Sequence, residues 1–106
     1  MKTVMLVAAA ALLASGYAAN AQEADVEAGA AYASQACAAC HAVLPNEEFS
    51  PLPQAPTFQS VADTPGMTEL ALTVWLQSSH PTMPNIILNQ DDLRNVVAYI
   101  RSLEKD

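Results

Sequence analysis

Both cysteines of the chain lie within one five-residue segment, CAACH, in which Cys37 and Cys40 are separated by two residues and His41 follows directly. Thiols at this spacing suit a disulfide, a redox-active pair, a metal site or the covalent attachment of a cofactor. A structural disulfide explains them poorly, because bridging so short a loop removes little entropy from the unfolded chain. The remaining interpretations make different demands on the rest of the sequence.

A thioredoxin-like redox pair needs a preceding strand and a βαβ pattern, and the sequence before Cys37 does not offer one. Residues 26–36 read VEAGAAYASQA, a stretch rich in alanine and without a β-branched run, which predicts a helix. A structural zinc site needs four ligands at matching spacings. The chain has only two cysteines and two histidines, and His80 is far from the CAACH segment.

The third interpretation is covalent haem, for which C-x-x-C-H is the attachment signature. In this chemistry the two thiols add to the two vinyl groups of the porphyrin, and the adjacent histidine becomes the proximal ligand of the iron. Cys37 and Cys40 are therefore the candidate thioether residues, and His41 is the candidate iron ligand. The rest of the chain must then supply a sixth ligand, an apolar pocket and a helical frame.

Several segments, in this order, resemble a small class I (monohaem) cytochrome c of the bacterial periplasmic type. HPTMPN, residues 80–85, lies between two segments of helical pattern, as does the x-M-P loop of that family. Gly29 and Tyr32 before CAACH resemble its N-terminal helix, and APTFQSVAD, residues 55–63, resembles its proline-bearing loop and short helix. The resemblance covers essentially residues 22–106. It implies an all-α, cytochrome c-like fold of about three main helices and short helical turns around one covalent haem c.

The resemblance also implies the sixth ligand, since the methionine of the x-M-P loop binds the iron in that family. Here that residue is Met83, and Met/His ligation raises the potential of cytochromes c. Met67, the other methionine outside the leader, is expected to pack in the core. His80 is also able to bind iron, but it ends a helix predicted over residues 68–79, where a histidine can satisfy terminal carbonyl groups.

A proximal histidine needs an acceptor for its other ring nitrogen, because that hydrogen bond fixes the orientation of the ring. In the family a proline carbonyl serves this purpose. Pro51, Pro53 and Pro56 are all candidates here, and Pro56, in APTF, is the best match.

The C-terminal segment predicts the helix that must support the site. Asn89 can cap it. Apolar residues at helical spacing then form one stripe, which consists of Leu93, Val96, Val97, Ile100 and Leu103. In the resembled family the N-terminal helix covers this stripe and crosses it closely at a glycine, which would be Gly29. Trp75 lies on the preceding helix and is given no role in the site.

Residues 1–21 predict a signal peptide that is cleaved after export. Lys2 is followed by an uncharged apolar run that ends near residue 14, and Ala19-Asn20-Ala21 has the small-x-small pattern that signal peptidase cuts. The run is shorter than the roughly 20 residues that span a bilayer. We therefore expect a periplasmic, monomeric monohaem domain over residues 22–106, without stable membrane insertion.

The charge of the chain indicates the kind of partner. Eleven acidic residues against four basic ones give a net charge of -7, and removal of Lys2 with the leader makes it more negative. This acidity argues against nucleic acid or anionic membrane and favours redox proteins with basic docking surfaces.

The expected function is therefore that of a periplasmic one-electron carrier rather than an enzyme. Three alternatives stay open at this point: an electron-accepting subunit of a periplasmic dehydrogenase, a haem enzyme or sensor with an open sixth position, and a thiol oxidoreductase.

Overall fold

The computed structural model describes residues 23–105, and in that range the chain forms four α-helices and no β-strand. The helices are α1 (Val26–Ala36), α2 (Phe58–Ala62), α3 (Glu69–Gln77) and α4 (Gln90–Ser102). The expected all-α class is thus confirmed. The predicted signal peptide of residues 1–21 lies outside the described residues.

Each helix begins at a residue whose side chain accepts a hydrogen bond from the backbone N–H three positions further along. These N-cap residues are Asp25, Thr57, Thr68 and Asn89. Such caps satisfy N–H groups that have no partner within the helix. The predicted cap of the C-terminal helix is confirmed, since Oδ1 of Asn89 accepts from the amide of Asp92 at 2.8 Å.

The third helix ends two residues earlier than its sequence predicted. Ser78, the C-cap, has an extended backbone with ψ of 148°, and its hydroxyl donates to the carbonyl of Val74. Pro81 lacks an N–H group and disfavours helical backbone at His80 before it. The chain therefore leaves the helix before the proline and begins the loop that carries Met83.

Helix α4 packs against the other three helices and most extensively against α1. The predicted stripe faces the core: Leu93, Val96, Val97 and Ile100 are buried, and Leu103 is partly buried. The crossing lies at Gly29, as the resemblance implied, and the amide of Asp25 donates to Oδ1 of Asn95 at 2.9 Å. None of the helices between residues 23 and 105 has the length and apolar character needed to cross a membrane.

Candidate functional site

The CAACH segment forms a tight turn at the end of α1. Cys37 is the C-cap of the helix, and its amide donates to the carbonyl of Ala33. The carbonyl of Cys37 accepts from the amides of Cys40 at 3.2 Å and His41 at 2.9 Å. Both cysteines are free thiols and are half-buried. The structure therefore brings the two thiols and the imidazole together on one turn.

The side chain of His41 makes a short hydrogen bond to Pro56. The distance between Nδ1 of His41 and the carbonyl oxygen of Pro56 is 2.6 Å. Because a carbonyl oxygen only accepts, Nδ1 donates its proton to Pro56, and Nε2 is the ring nitrogen left to bind a metal. Of the three candidate prolines, the one in contact is Pro56, which precedes Thr57, the cap of α2.

Two aromatic side chains connect His41 to the core. The ring of Phe58 lies 5.5 Å from the His41 ring and 6.5 Å from the ring of Tyr99, measured between centroids. The hydroxyl of Tyr99 in turn donates to the carbonyl of Val43, two residues after His41. Phe58 was not predicted as a site residue. Its position two residues after Pro56, at the start of a short helix, was the only feature of the sequence that could have indicated it.

The environment of the thiols does not suit a thiol oxidoreductase. Burial, and secondarily the nearby charge of Cys40, raise the pKa of Cys37. Reactive cysteines have a lowered pKa instead, because the thiolate is the nucleophile. The described residues also lack the strand that a thioredoxin-like pair needs.

The surroundings of the turn do not form a zinc site either. Within residues 23–105 no group of three or more His, Cys, Asp or Glu side chains comes together to hold a metal ion. A structural zinc ion needs four such ligands.

Two cavities lie at the candidate site. His41 lines one of about 480 Å³, together with residues of the turn and of the segment that follows it, among them Ala38, Val43, Leu44 and Phe49. Met83 lines the other, of about 390 Å³, together with Leu76, His80, Ile86 and Leu88. The structure thus places His41 and Met83, the two predicted iron ligands, on different cavities.

His80 shares the second cavity with Met83 and makes the contact expected of a histidine at a helix end. Its Nδ1 donates to the carbonyl of Ser78, the C-cap of α3, at 2.7 Å, and its ring lies 4.4 Å from that of Trp75. The same reasoning as for His41 leaves Nε2 of His80 with a free lone pair. Both side chains on this cavity are therefore chemically able to bind iron. Met67, by contrast, is half-buried and packs against the core.

The residues present fit a covalently bound haem. Cys37 and Cys40 are free thiols at the attachment spacing, and His41 has an open Nε2 and an anchored Nδ1. Met83 adds a thioether on a partly apolar cavity. Comparison of the chain with models of protein families, with characterised proteins and with solved structures finds no match, so the assignment of this site rests on its own chemistry.

Proposed function

We propose that the chain carries one covalently attached haem c and acts as a one-electron carrier in the periplasm. The observation that carries the proposal is the turn in which two free thiols precede a histidine whose Nδ1 is bonded to Pro56. A structural zinc ion would need further ligands, and no group of three or more His, Cys, Asp or Glu side chains comes together within residues 23–105. Haem attachment uses every part of that turn.

Cys37 and Cys40 would hold the haem through thioether bonds, and His41 and Met83 would bind its iron. When bound, the haem supplies a centre that takes up and releases a single electron. The hydrogen bond to Pro56 fixes the orientation of the His41 ring. Met83 is preferred to His80 because the loop that carries it resembles the x-M-P loop of class I cytochromes c. His80, by contrast, packs against Trp75.

Two side chains of this chain able to bind iron favour a carrier over an enzyme. If His41 and Met83 both held the iron of a bound haem, no place on it would remain for a substrate. A cytochrome subunit of a periplasmic dehydrogenase would use the same site in the same way. That role is the alternative within this proposal.

The attachment can be tested with protein made in cells that mature c-type cytochromes. After denaturation in acid organic solvent the wild-type protein should keep its colour, because thioether bonds survive the extraction, and its mass should include one haem. The Cys37→Ala, Cys40→Ala variant is the control, and its mass should include no haem. Colour that leaves the wild-type protein would contradict the proposal. The same mass spectrum reports whether the chain begins at Gln22, and osmotic shock reports whether it is periplasmic.

A further inference from the structure

The side chain of Gln59, in α2, is buried and joins three segments that are far apart in the sequence. Its Oε1 accepts from the backbone amide of Asn46 at 3.0 Å. Its Nε2 donates to the carbonyl of Leu103 at 2.6 Å and to Oδ2 of Asp63 at 3.0 Å. Because a buried amide that loses its partners destabilises the fold, Gln59 holds these segments to one another.

One of the three segments forms part of the wall of the cavity that His41 lines. Residues 43–51 contain neither helix nor strand, and we call them the 43–51 segment. The residues of this segment that line the cavity of about 480 Å³ are Val43, Leu44, Glu47, Phe49, Ser50 and Pro51. Because His41 lines the same cavity, the position of the segment decides how easily water reaches the proposed iron ligand.

Side chains hold the 43–51 segment in place. At its start the carbonyl of Val43 accepts from the hydroxyl of Tyr99, and near its end Oγ of Ser50 accepts from the amide that follows the CAACH turn, at 3.0 Å. Between these two points the chain turns at Asn46, which adopts the left-handed backbone with φ of 63° that asparagine tolerates. Gln59 is therefore the residue that ties the middle of the segment to the core.

The short helix α2 reaches both the imidazole and the cavity wall. Pro56, two residues before the helix, accepts from Nδ1 of His41, and the ring of Phe58 lies 5.5 Å from the His41 ring. The next residue, Gln59, holds Asn46. One element thus fixes the imidazole and the wall beside it, and Gln59 is responsible for the wall.

We propose that Gln59 is a positioning residue, which holds the 43–51 segment as the wall of the His41 cavity and so limits the access of water to the proposed haem. This inference rests on the proposed function and deepens it. Access of solvent is one of the means by which a protein sets the potential of a bound metal. Ferric haem carries one more positive charge than ferrous haem, so water in the cavity would stabilise the ferric form and lower the potential.

The first measurement follows the contact itself, by amide hydrogen exchange in haem-loaded ferrous protein. Gln59→Met keeps a side chain of similar length and removes all three hydrogen bonds. Protection of the Asn46 amide should fall at least about tenfold relative to that of Val97, whose amide in α4 reports opening of the core. Gln90→Met makes the same chemical change at the exposed start of α4 and should leave this ratio unchanged.

The second measurement is the midpoint potential, which a purely structural role of Gln59 would not alter. Gln59→Met should lower the potential. Asp63→Asn is the matched control, because it changes another partner of Gln59 but leaves the contact with Asn46 in place, and it should not lower the potential. An equal fall in both variants would show that the potential follows stability rather than the cavity wall, and would overturn the inference.

A milder variant keeps the test decisive if Gln59→Met does not fold. Gln59→Asn retains the amide group but is one methylene too short to keep the contact with Asn46, so it should show the same two changes. An Asn46 amide without protection in the wild-type protein would by itself overturn the inference.

The outcomes also separate this inference from the proposed function. Wild-type protein that binds no haem covalently would contradict the proposed function, and this inference with it, since no haem would then be shielded. Haem-loaded Gln59 variants with the exchange ratio and the potential of the wild-type protein would contradict the role of Gln59 alone.

Discussion

A Cβ atom added to Gly29 would lie 2.0 Å from the carbonyl oxygen of Asn95 and 2.9 Å from Cβ of Tyr99. Helices α1 and α4 therefore meet with the backbone of one directly against the backbone of the other. No rotamer change relieves such a contact, because the nearest atoms belong to the main chain of α4. This crossing holds the end of α1, and with it the CAACH turn, against the core.

Gly29→Ala should destabilise the protein. The added methyl group forces α1 away from α4, and overpacking of this kind costs about 1–3 kcal/mol or more of the free energy of unfolding. Urea unfolding followed by far-UV circular dichroism measures the change. Ala31→Ser, at an exposed position of the same helix, is the control and should change stability by about 0.5 kcal/mol or less. Unchanged stability of Gly29→Ala would mean that the helices do not cross at this residue.

The features that the sequence could predict are those that depend on local patterns. Asn89 and the apolar stripe after it predicted α4, because capping and helical periodicity are properties of neighbouring residues. The hydrogen bond between His41 and Pro56 spans fifteen residues. The sequence alone left three prolines open for it, and only the resemblance favoured Pro56.

Other features depend on contacts between residues far apart in the sequence. No local pattern in a single sequence predicts such contacts. Gln59 has no motif around it, yet its side chain joins Asn46, Asp63 and Leu103. The ring contact between Phe58 and Tyr99 connects segments about forty residues apart. The early end of α3 at Gln77 was not predicted, because the sequence has no proline or glycine at residues 78 and 79 to mark it.

Replacement of both cysteines should leave the chain largely unfolded. The described residues bury only a small apolar core, and small exported domains commonly need a further element to hold them together. The Cys37→Ala, Cys40→Ala variant should therefore lose its cooperative thermal transition, which circular dichroism would follow in parallel with the wild-type protein. A cooperative and helical apoprotein would show that the haem contributes less to folding than we expect.

The identity of the sixth ligand can be decided by two substitutions on one cavity. Met83→Ala should let ferrous protein bind carbon monoxide and should lower the midpoint potential, because it removes the thioether ligand. His80→Ala should leave the ligation bands nearly unchanged, since His80 is expected only to satisfy the end of α3 and to pack on Trp75. Absorption spectroscopy and redox titration measure both effects. The reverse pattern would assign the sixth position to His80.

Asp63 should make stability depend on pH in the acid range. The backbone amide of Lys105, then the side-chain amide of Gln59, hold the pKa of Asp63 below its ordinary value of 3.8. A carboxyl with a lowered pKa in the folded state stabilises the protein above its ordinary pKa, and this contribution is lost as the pH falls through the folded value. The ionised Asp63 should therefore stabilise the wild-type protein at neutral pH, and this stabilisation should be lost below about pH 4. Asp63→Asn should lack it at every pH.

Thermal unfolding of the two proteins at a series of pH values measures this difference. The gap between their melting temperatures should be largest near neutral pH and should narrow below about pH 4. Glu104→Gln, which removes an exposed carboxylate from the same terminal segment, is the control for net charge. A gap that stays constant from neutral to acid pH would mean that Asp63 acts through packing rather than through its charge.

The excess of acidic residues should speed the encounter with a basic partner. Eleven acidic residues face four basic ones in the whole chain, and the propionates of a haem would add to the negative charge. Long-range attraction of this kind raises association rates and is screened by salt. The screening length falls from about 30 Å at 0.01 M to about 8 Å at 0.15 M ionic strength.

Electron transfer to ferric mitochondrial cytochrome c, a lysine-rich protein, should therefore slow by about tenfold or more over that range of ionic strength. Stopped-flow absorption measures the second-order rate constant, and the reaction with an uncharged small oxidant is the control that should change little. Long-range attraction acts mainly on the encounter, so salt should affect association more than dissociation. A rate that stays flat across the range would mean that the negative charge does not steer the partner and that docking depends on apolar contact alone.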